Sequence, residues 1–240
     1  MTPPLRGISS MATRSLLAAL VTVYRGSAGA AVEFVAVGGI EVPRRLREGE
    51  SFDIVVLAAT ALRALADEHL VIAASQMPFA ISPAALAVRA GADKPAIGSG
   101  DELLRALRAA TTIGYSTGPS GDALLRLLER AGILAEVRPR LLQAPPGCPV
   151  ARLVAEGRAQ IGLQQLSELE GVDGIEVVGT LPEGAQADTI FAAAICSSSR
   201  RAREAQAFLD FIGSPAAAKA IGNAFMSPYQ KRGTAGATAT

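Results

Sequence analysis

The chain has 240 residues, 23 Lys and Arg against 22 Asp and Glu, a net charge of +1, and 50% hydrophobic residues. That supplies one large core or two smaller ones, and the absence of any basic run argues against a nucleic-acid partner. Trp is absent, aromatic content is 4%, and the single histidine, His69, rules out a His-cluster metal site and makes a Ser-His-Asp triad hard to build. Cys148 and Cys196 are isolated and lack metal-ligand spacing, although a single pairing between them stays open. No metal and no cofactor is expected.

Taken in chain order, strands and helices alternate, which predicts an α/β fold with mostly parallel strands. Residues 4–8 read as a first strand and 10–24 as a helix. Next come a strand over 31–37, a short helix over 42–47, a buried strand over 52–57 and a helix over 60–68. Residues 79–88 are apolar and strand-like, with Pro83 demoting part of the run to an edge or bend. A helix over 101–110 turns Leu103, Leu104 and Leu107 inward. Beyond 133 the pattern predicts a strand near 136–138, a loop over 143–148, a helix over 149–156 with Pro149 at its first position, and a strand over 160–164. Strands over 175–178 and 189–194, then helices over 201–212 and 215–225, complete the pattern. Residues 233–240 are expected to be a disordered tail.

The apolar stretch 16–23 is short and follows Ser9, Ser10, Thr13 and Arg14, so it is expected to be a core helix rather than a leader. No other run is long enough to span a membrane, and no membrane insertion is expected. As written, the chain is expected in the cytoplasm, and in the periplasm had a leader been removed.

The segment 113–133, IGYSTGPSGDALLRLLERAGI, carries the most functional information. It is a strand end, a Gly/Ser/Pro turn and an amphipathic helix. Ser116, Thr117 and Ser120 offer hydroxyls, while Gly118 and Gly121 permit close backbone approach. The helix N-terminus directs free N–H groups and a positive dipole end at the same spot, which suits an anion. Such turns also occur purely as caps.

Five phrases spread along the chain carry a family resemblance: ISSMATRSLLAAL, FDIVVLAATALRALADEHLV, GYSTGPSGDALLRLLERAGI, LVAEGRAQIGLQQLSEL and AQAFLDFIGSPAAAKAI. With them the chain resembles the type II periplasmic solute-binding proteins, in the molybdate-binding branch that aconitate isomerase also resembles. The resemblance implies a two-lobe α/β fold with a ligand cleft between lobes. Lobe I would take 1–78 and 195–232, and lobe II 79–194, with crossovers near 79–88 and 189–194.

That resemblance also implies four ligand loops. The first is Ser9, Ser10 and Met11, where capping is the commoner job for Ser10. The second is Gly38 and Gly39, where molybdate binders carry a serine pair. The third is Ser116, Thr117, Gly118, Ser120 and Gly121. The fourth is Gln164 and Gln165 with Ser167, and Gln165 stands where molybdate binders usually have a tyrosine. Losing the serine pair and the tyrosine argues against a tetrahedral oxyanion and for a larger ligand with carboxylate groups.

Two functions are therefore expected. In one, the protein binds a small organic di- or tricarboxylate anion in the cleft. In the other, it is an isomerase that shifts a proton, or interconverts cis and trans forms, on an unsaturated carboxylate. The second needs a base, and the sequence offers only Tyr115, Asp122 and Asp53 as weak candidates. Asp53 otherwise orients a strand, Tyr115 otherwise fills the core, Arg14 is by default an exposed charge, and Cys148 a small packing residue. No feature of the sequence sets an oligomeric state.

Overall fold

A computed structural model describes residues 3–26, 30–145, 147–185 and 187–230; the tail expected at 233–240 lies outside them. β1 (Leu5–Ser10), β2 (Val32–Val37) and β3 (Ile54–Ala58) run parallel, with β1 in the middle. Along β3, Ile54 and Val56 join one apolar cluster while Val55 and Leu57 join another. That two-residue alternation, apolar on both sides, is what a strand covered on both faces requires. A 3₁₀ turn at Met11–Thr13 leads into α1 (Arg14–Gly26), whose Leu16, Leu17 and Leu20 pack into the first cluster. α2 (Glu41–Arg47) and α3 (Ala59–Asp67) send Val42, Leu46, Leu62 and Leu65 into the second. His69, just past the end of α3, is exposed with φ 58°, a left-handed position beyond a helix C-terminus.

The apolar run over 79–88 is two strands rather than one. β4 (Met77–Ser82) belongs to the first sheet, and β5 (Ala84–Arg89) to a second. Pro83 separates them, having no N–H to continue either ladder. The second sheet adds β6 (Ile113–Tyr115), β7 (Leu141–Gln143), β8 (Ile161–Gln165) and β9 (Ile175–Thr180), in the order β7-β6-β8-β5-β9. Around it lie α4 (Gly100–Ala109), α5 (Pro119–Arg130), α6 (Leu134–Val137), α7 (Val150–Ala155) and the single turn α8 (Leu166–Leu169). Ser99 and Glu102 close a reciprocal capping box at the start of α4. Pro149 is the N-cap of α7 rather than its first helical residue.

β10 (Thr189–Ile195) lies antiparallel between β3 and β4. α9 (Ala202–Ile212), α10 (Pro215–Asn223) and β11 (Ser227–Pro228) finish the first lobe, whose sheet order is β11-β4-β10-β3-β1-β2. The fold is thus α/β with two lobes, one per sheet. The chain passes between the sheets at Pro83 and across 181–188, so β4 and β10 both lie in the first sheet.

Two further expectations need correction. The sheets are mixed, not mostly parallel: among the described residues β1–β2, β1–β3, β6–β7 and β6–β8 are parallel, and five pairings are antiparallel. Crossing twice between lobes is the reason, because β4, β5, β9 and β10, which flank the crossings, all pair in the antiparallel sense. The strand expected near 136–138 is instead α6 and a 3₁₀ turn at Arg138–Arg140. Pro139 cannot donate to a ladder and its fixed φ suits that turn, so the strand begins only at Leu141.

Candidate functional site

A cavity of about 660 Å³ lies between the lobes. It is walled by the carboxyl ends of parallel strands from both sheets and the residues just beyond them. Ser10 ends β1, Gly38 and Gly39 follow β2, and Leu57 and Ala58 end β3; opposite them, Ser116 follows β6 and Gln164 and Gln165 end β8. Strand ends of this kind are where helices begin, so the N-termini of α3 (Thr60, Ala61) and α5 (Pro119, Ser120) also face in.

The lobes touch at the cavity's edges. Ser167 Oγ on α8 donates to the Ala12 carbonyl at 3.0 Å, joining the second lobe to the turn that starts α1. A Cβ on Gly38 would lie 3.7 Å from the Gly147 nitrogen, so the loops after β2 and β7 face each other.

The turn before α5 is built as its sequence suggests, with one difference. Ser116 Oγ accepts from the Gly118 N–H at 3.2 Å and lies 2.9 Å from Ser120 Oγ, so these hydroxyls partner each other. Ser120, 2% exposed, is mostly spent on this turn. Gly121 permits close packing of helix on turn: a Cβ there would collide with the Ser116 carbonyl oxygen.

Ser10 behaves differently. It occupies the N-cap position but makes no capping bond, and its buried hydroxyl has no partner among the described residues. Gln165 is 2% exposed; its amide nitrogen donates to Thr189 Oγ1 at 2.7 Å, and its Oε1 is unpartnered. Unmatched buried polar atoms are costly, and two of them lie on the wall of one cavity. Gln164 is fully engaged: its Oε1 accepts from the Val150 N–H, the first of α7, at 2.8 Å, and its side chain hydrogen-bonds Glu168.

Of the residues singled out from sequence, Ser10, Met11, Gly38, Gly39, Ser116, Thr117, Gly118, Ser120, Asp122, Gln164 and Gln165 line the cavity together, and Ser9, Gly121, Tyr115 and Asp53 do not. Tyr115 packs against the apolar cluster of the second lobe. Asp53 lies at the opposite end of β3 from the cavity, where its carboxylate accepts from the Arg6 N–H at 2.9 Å and Ser199 Oγ at 2.6 Å. Cys148 lines the cavity, and Cys196 is buried elsewhere; both are free thiols.

The residue that sequence reasoning missed is Glu168, in the turn of α8, which lines the cavity. The residue is half-buried. Burial pushes its carboxyl up to about 7, against the hydrogen bond from Gln164, which favours the charged form. Its position three residues after the last residue of β8 was the available signal. Arg14 is the only Lys or Arg among the described lining residues and has no ion-pair partner among them. Asp122 and Glu170 add carboxylates, while Met11, Leu57 and Phe191 supply apolar wall.

Among the described residues, no helix is long and apolar enough to cross a membrane. The family model described as "Bacterial extracellular solute-binding protein" matches residues 5–226. An aconitate isomerase from Pseudomonas sp is 37% identical over 187 residues, 78% of this chain and 71% of that protein. In fold, the chain is similar to the periplasmic molybdate-binding protein of Azotobacter vinelandii (TM-score 0.77, 18% identity, 94% of this chain and 100% of that one). It is also similar to the sulfate-binding protein SubI from Mycobacterium tuberculosis H37Rv (TM-score 0.76, 15% identity, 95% and 88% of the two chains). With two lobes, a cleft between them and a family match along most of its length, this chain belongs to the bacterial extracellular solute-binding proteins.

Proposed function

We propose that the interlobe cleft binds a small organic di- or tricarboxylate and isomerises it by shifting a proton across a C=C bond. The observation that carries this reading is Glu168, a carboxyl poised near neutrality on the wall of the cavity. Such a carboxyl supports a reading in which a proton is moved within the cleft. The 37% identity to an aconitate isomerase supports the same reaction class.

Size and lining support an organic ligand over a bare tetrahedral oxyanion. A cavity of about 660 Å³ with Met11, Leu57 and Phe191 on its wall suits a carbon skeleton. Gly38 and Gly39, where molybdate binders carry serines, leave room in place of hydroxyls. Ligand carboxylates would be met by Arg14, Ser10, Thr117 and the N-terminus of α5. Enclosure between the lobes would exclude water and strengthen those contacts for a developing enolate-like charge.

The test is a thermal-shift screen of molybdate, sulfate, citrate and cis- and trans-aconitate, each hit then followed by proton NMR in D₂O. Ligand at 100 times its Kd adds about 2.7 kcal/mol of stability. The expected hit is an unsaturated carboxylate whose allylic protons exchange and whose isomer accumulates. A hit that returns unchanged leaves a carboxylate-binding protein, and stabilisation by molybdate or sulfate alone overturns the reading.

A further inference from the structure

Resting on the proposed proton shift, we infer that Glu168 is the catalytic acid-base, carrying the migrating proton between the two ends of the ligand's allylic system. The choice follows from where the titratable groups lie. Among the described lining residues there is no histidine or lysine; the carboxylates are Asp122, Glu168 and Glu170, and the one thiol is Cys148. Asp122 is exposed to solvent on α5, and Glu170 caps the far end of α8. Glu168 and Glu170 are both half-buried on the cavity wall, and of the two Glu168 lies within the turn of α8, next to Ser167, which bonds across to the first lobe.

Its surroundings fix its position. Gln164 is held by the Val150 N–H through Oε1, which leaves its amide N–H₂ to meet Glu168. The next residue on β8, Gln165, presents an unpartnered, nine-tenths-buried Oε1, and Ser10 across the cleft presents an unpartnered buried hydroxyl. Ser167 bonds the Ala12 carbonyl, so α8 is pinned where the first lobe closes over it. Glu168 thus lies next to a residue that bonds across the lobes, on the wall of a cavity whose lining also carries two polar residues with atoms unpartnered among the described residues.

The step balances with one group. The Glu168 carboxylate takes a proton from the methylene carbon next to the double bond, and the C–H electron pair delocalises over three carbons and the attached carboxylates. The same carboxyl, now neutral, returns the proton to the former vinylic carbon, and the double bond shifts by one position. No oxidant, water or metal enters the balance.

Elements packed against α8 do not compete for this role. The turn at Met11–Thr13 and strand β8 carry no titratable side chain; β5 offers Arg89 at its last residue, and β9 offers Glu176, which pairs with Lys94 at 2.8 Å. On the cavity wall the charged or titratable neighbours are Arg14, Asp122, Glu170 and Cys148.

The experiment compares the full chain with its Glu168→Gln variant, using cis- and trans-aconitate as probes. Binding is read by calorimetry, isomerisation and deuterium uptake by NMR, and folding by the ligand-free melting curve. The variant is expected to fold and to bind within a few-fold of the parent. Isomerisation and exchange should fall by at least about 100-fold, the scale of a lost general acid-base. The parent's kcat/KM should turn on a group titrating near neutral pH, and the variant's residual rate should lose that limb. Should Gln fail to fold, Glu168→Asp, which keeps the acid but withdraws it, is expected to bind and turn over slowly. A parent that turns over together with an equally active Gln variant overturns Glu168 and leaves the isomerase reading standing. A parent that binds but neither isomerises nor exchanges the probes overturns both.

Discussion

Ser167 and Ala12 are 155 positions apart, yet the Ser167 hydroxyl donates to the Ala12 carbonyl at 3.0 Å and ties the two lobes together beside Glu168. A solute-binding fold closes by hinge motion, so a bond made across the cleft favours the closed form and, through it, the ligand. Replacing Ser167 with Ala removes a partly buried hydrogen bond, worth about 0.5–1.5 kcal/mol. The expected result is a roughly 2- to 12-fold rise in ligand Kd, carried by faster release, with little change in the ligand-free melting temperature. Stopped-flow release together with calorimetry checks it. Unchanged release would mean that the contact does not hold the closed form.

Ser10→Ala separates capping from ligand binding. A working N-cap serine costs about 1 kcal/mol of stability when replaced by Ala. Ser10 makes no capping bond, and its hydroxyl is buried without a partner among the described residues. Ligand-free stability should therefore hold or rise slightly, while ligand binding weakens by about 1–3 kcal/mol for a lost bond to a charged group. Loss of ligand-free stability with binding intact would make Ser10 a structural serine after all.

The sequence announced the elements where one residue type dominates the local physics. Strand β3 is bounded within two residues of expectation and helix α5 follows its turn as expected, because apolar periodicity and the Gly/Ser/Pro turn are local signals. The sense of pairing was not legible, since whether β10 enters between β3 and β4 depends on where the chain recrosses, 107 residues after Ser82. The donor-rich loops were visible as short polar insertions in an apolar pattern. Glu168 was not, because a glutamate in a short helix usually faces water, and only the fold half-buries it. Asp53 misled for the converse reason: a carboxylate before a strand looks available until Arg6 and Ser199 are found on it.

The two cysteines give a chemical probe of the cleft. Cys148 is partly accessible on the cavity wall, while Cys196 is 0% exposed, with its thiol pushed up to about 12 by burial and by Asp53. The thiolate is the reactive form, so Cys148 should react much faster with a disulfide reagent in the native protein. Thiol titration should give one fast equivalent, with the second released only on unfolding. Saturating carboxylate should slow that equivalent; full reactivity in its presence would put the ligand elsewhere.

Glu168 also makes stability depend on pH. Its carboxyl moves from an ordinary 4.5 to about 7 on folding, so between those values the folded chain keeps a proton that the unfolded chain has released. Stability therefore falls as pH rises through this window, by up to about 3 kcal/mol, and by less because the residue is only half-buried. Glu41, Glu68, Glu156 and Glu176 are held below their ordinary range chiefly by hydrogen bonds to Arg or Lys partners. They contribute stability that is lost only as pH falls below it. Denaturant midpoints at pH 5 and pH 8 should differ less in Glu168→Gln than in the parent. Equal differences in the two proteins would place the Glu168 titration outside this window.

The glycine pair decides what size of ligand the cleft accepts. Neither Gly38 nor Gly39 has a positive φ; a Cβ on Gly39 would meet nothing within 4 Å, and one on Gly38 only the Gly147 nitrogen at 3.7 Å. The backbone does not need glycine at either position, so what glycine contributes is volume on the cavity wall. Gly39→Ser should fold with unchanged stability, because its side chain projects into open space. It should weaken binding of a tricarboxylate by several-fold, as an added group removes ligand volume, while a small oxyanion gains a hydroxyl partner at the same place. Parallel titrations with citrate, trans-aconitate and molybdate measure the exchange. Tight molybdate binding by the unaltered protein would show that serine hydroxyls are not required there, and would turn the cleft back toward inorganic anions.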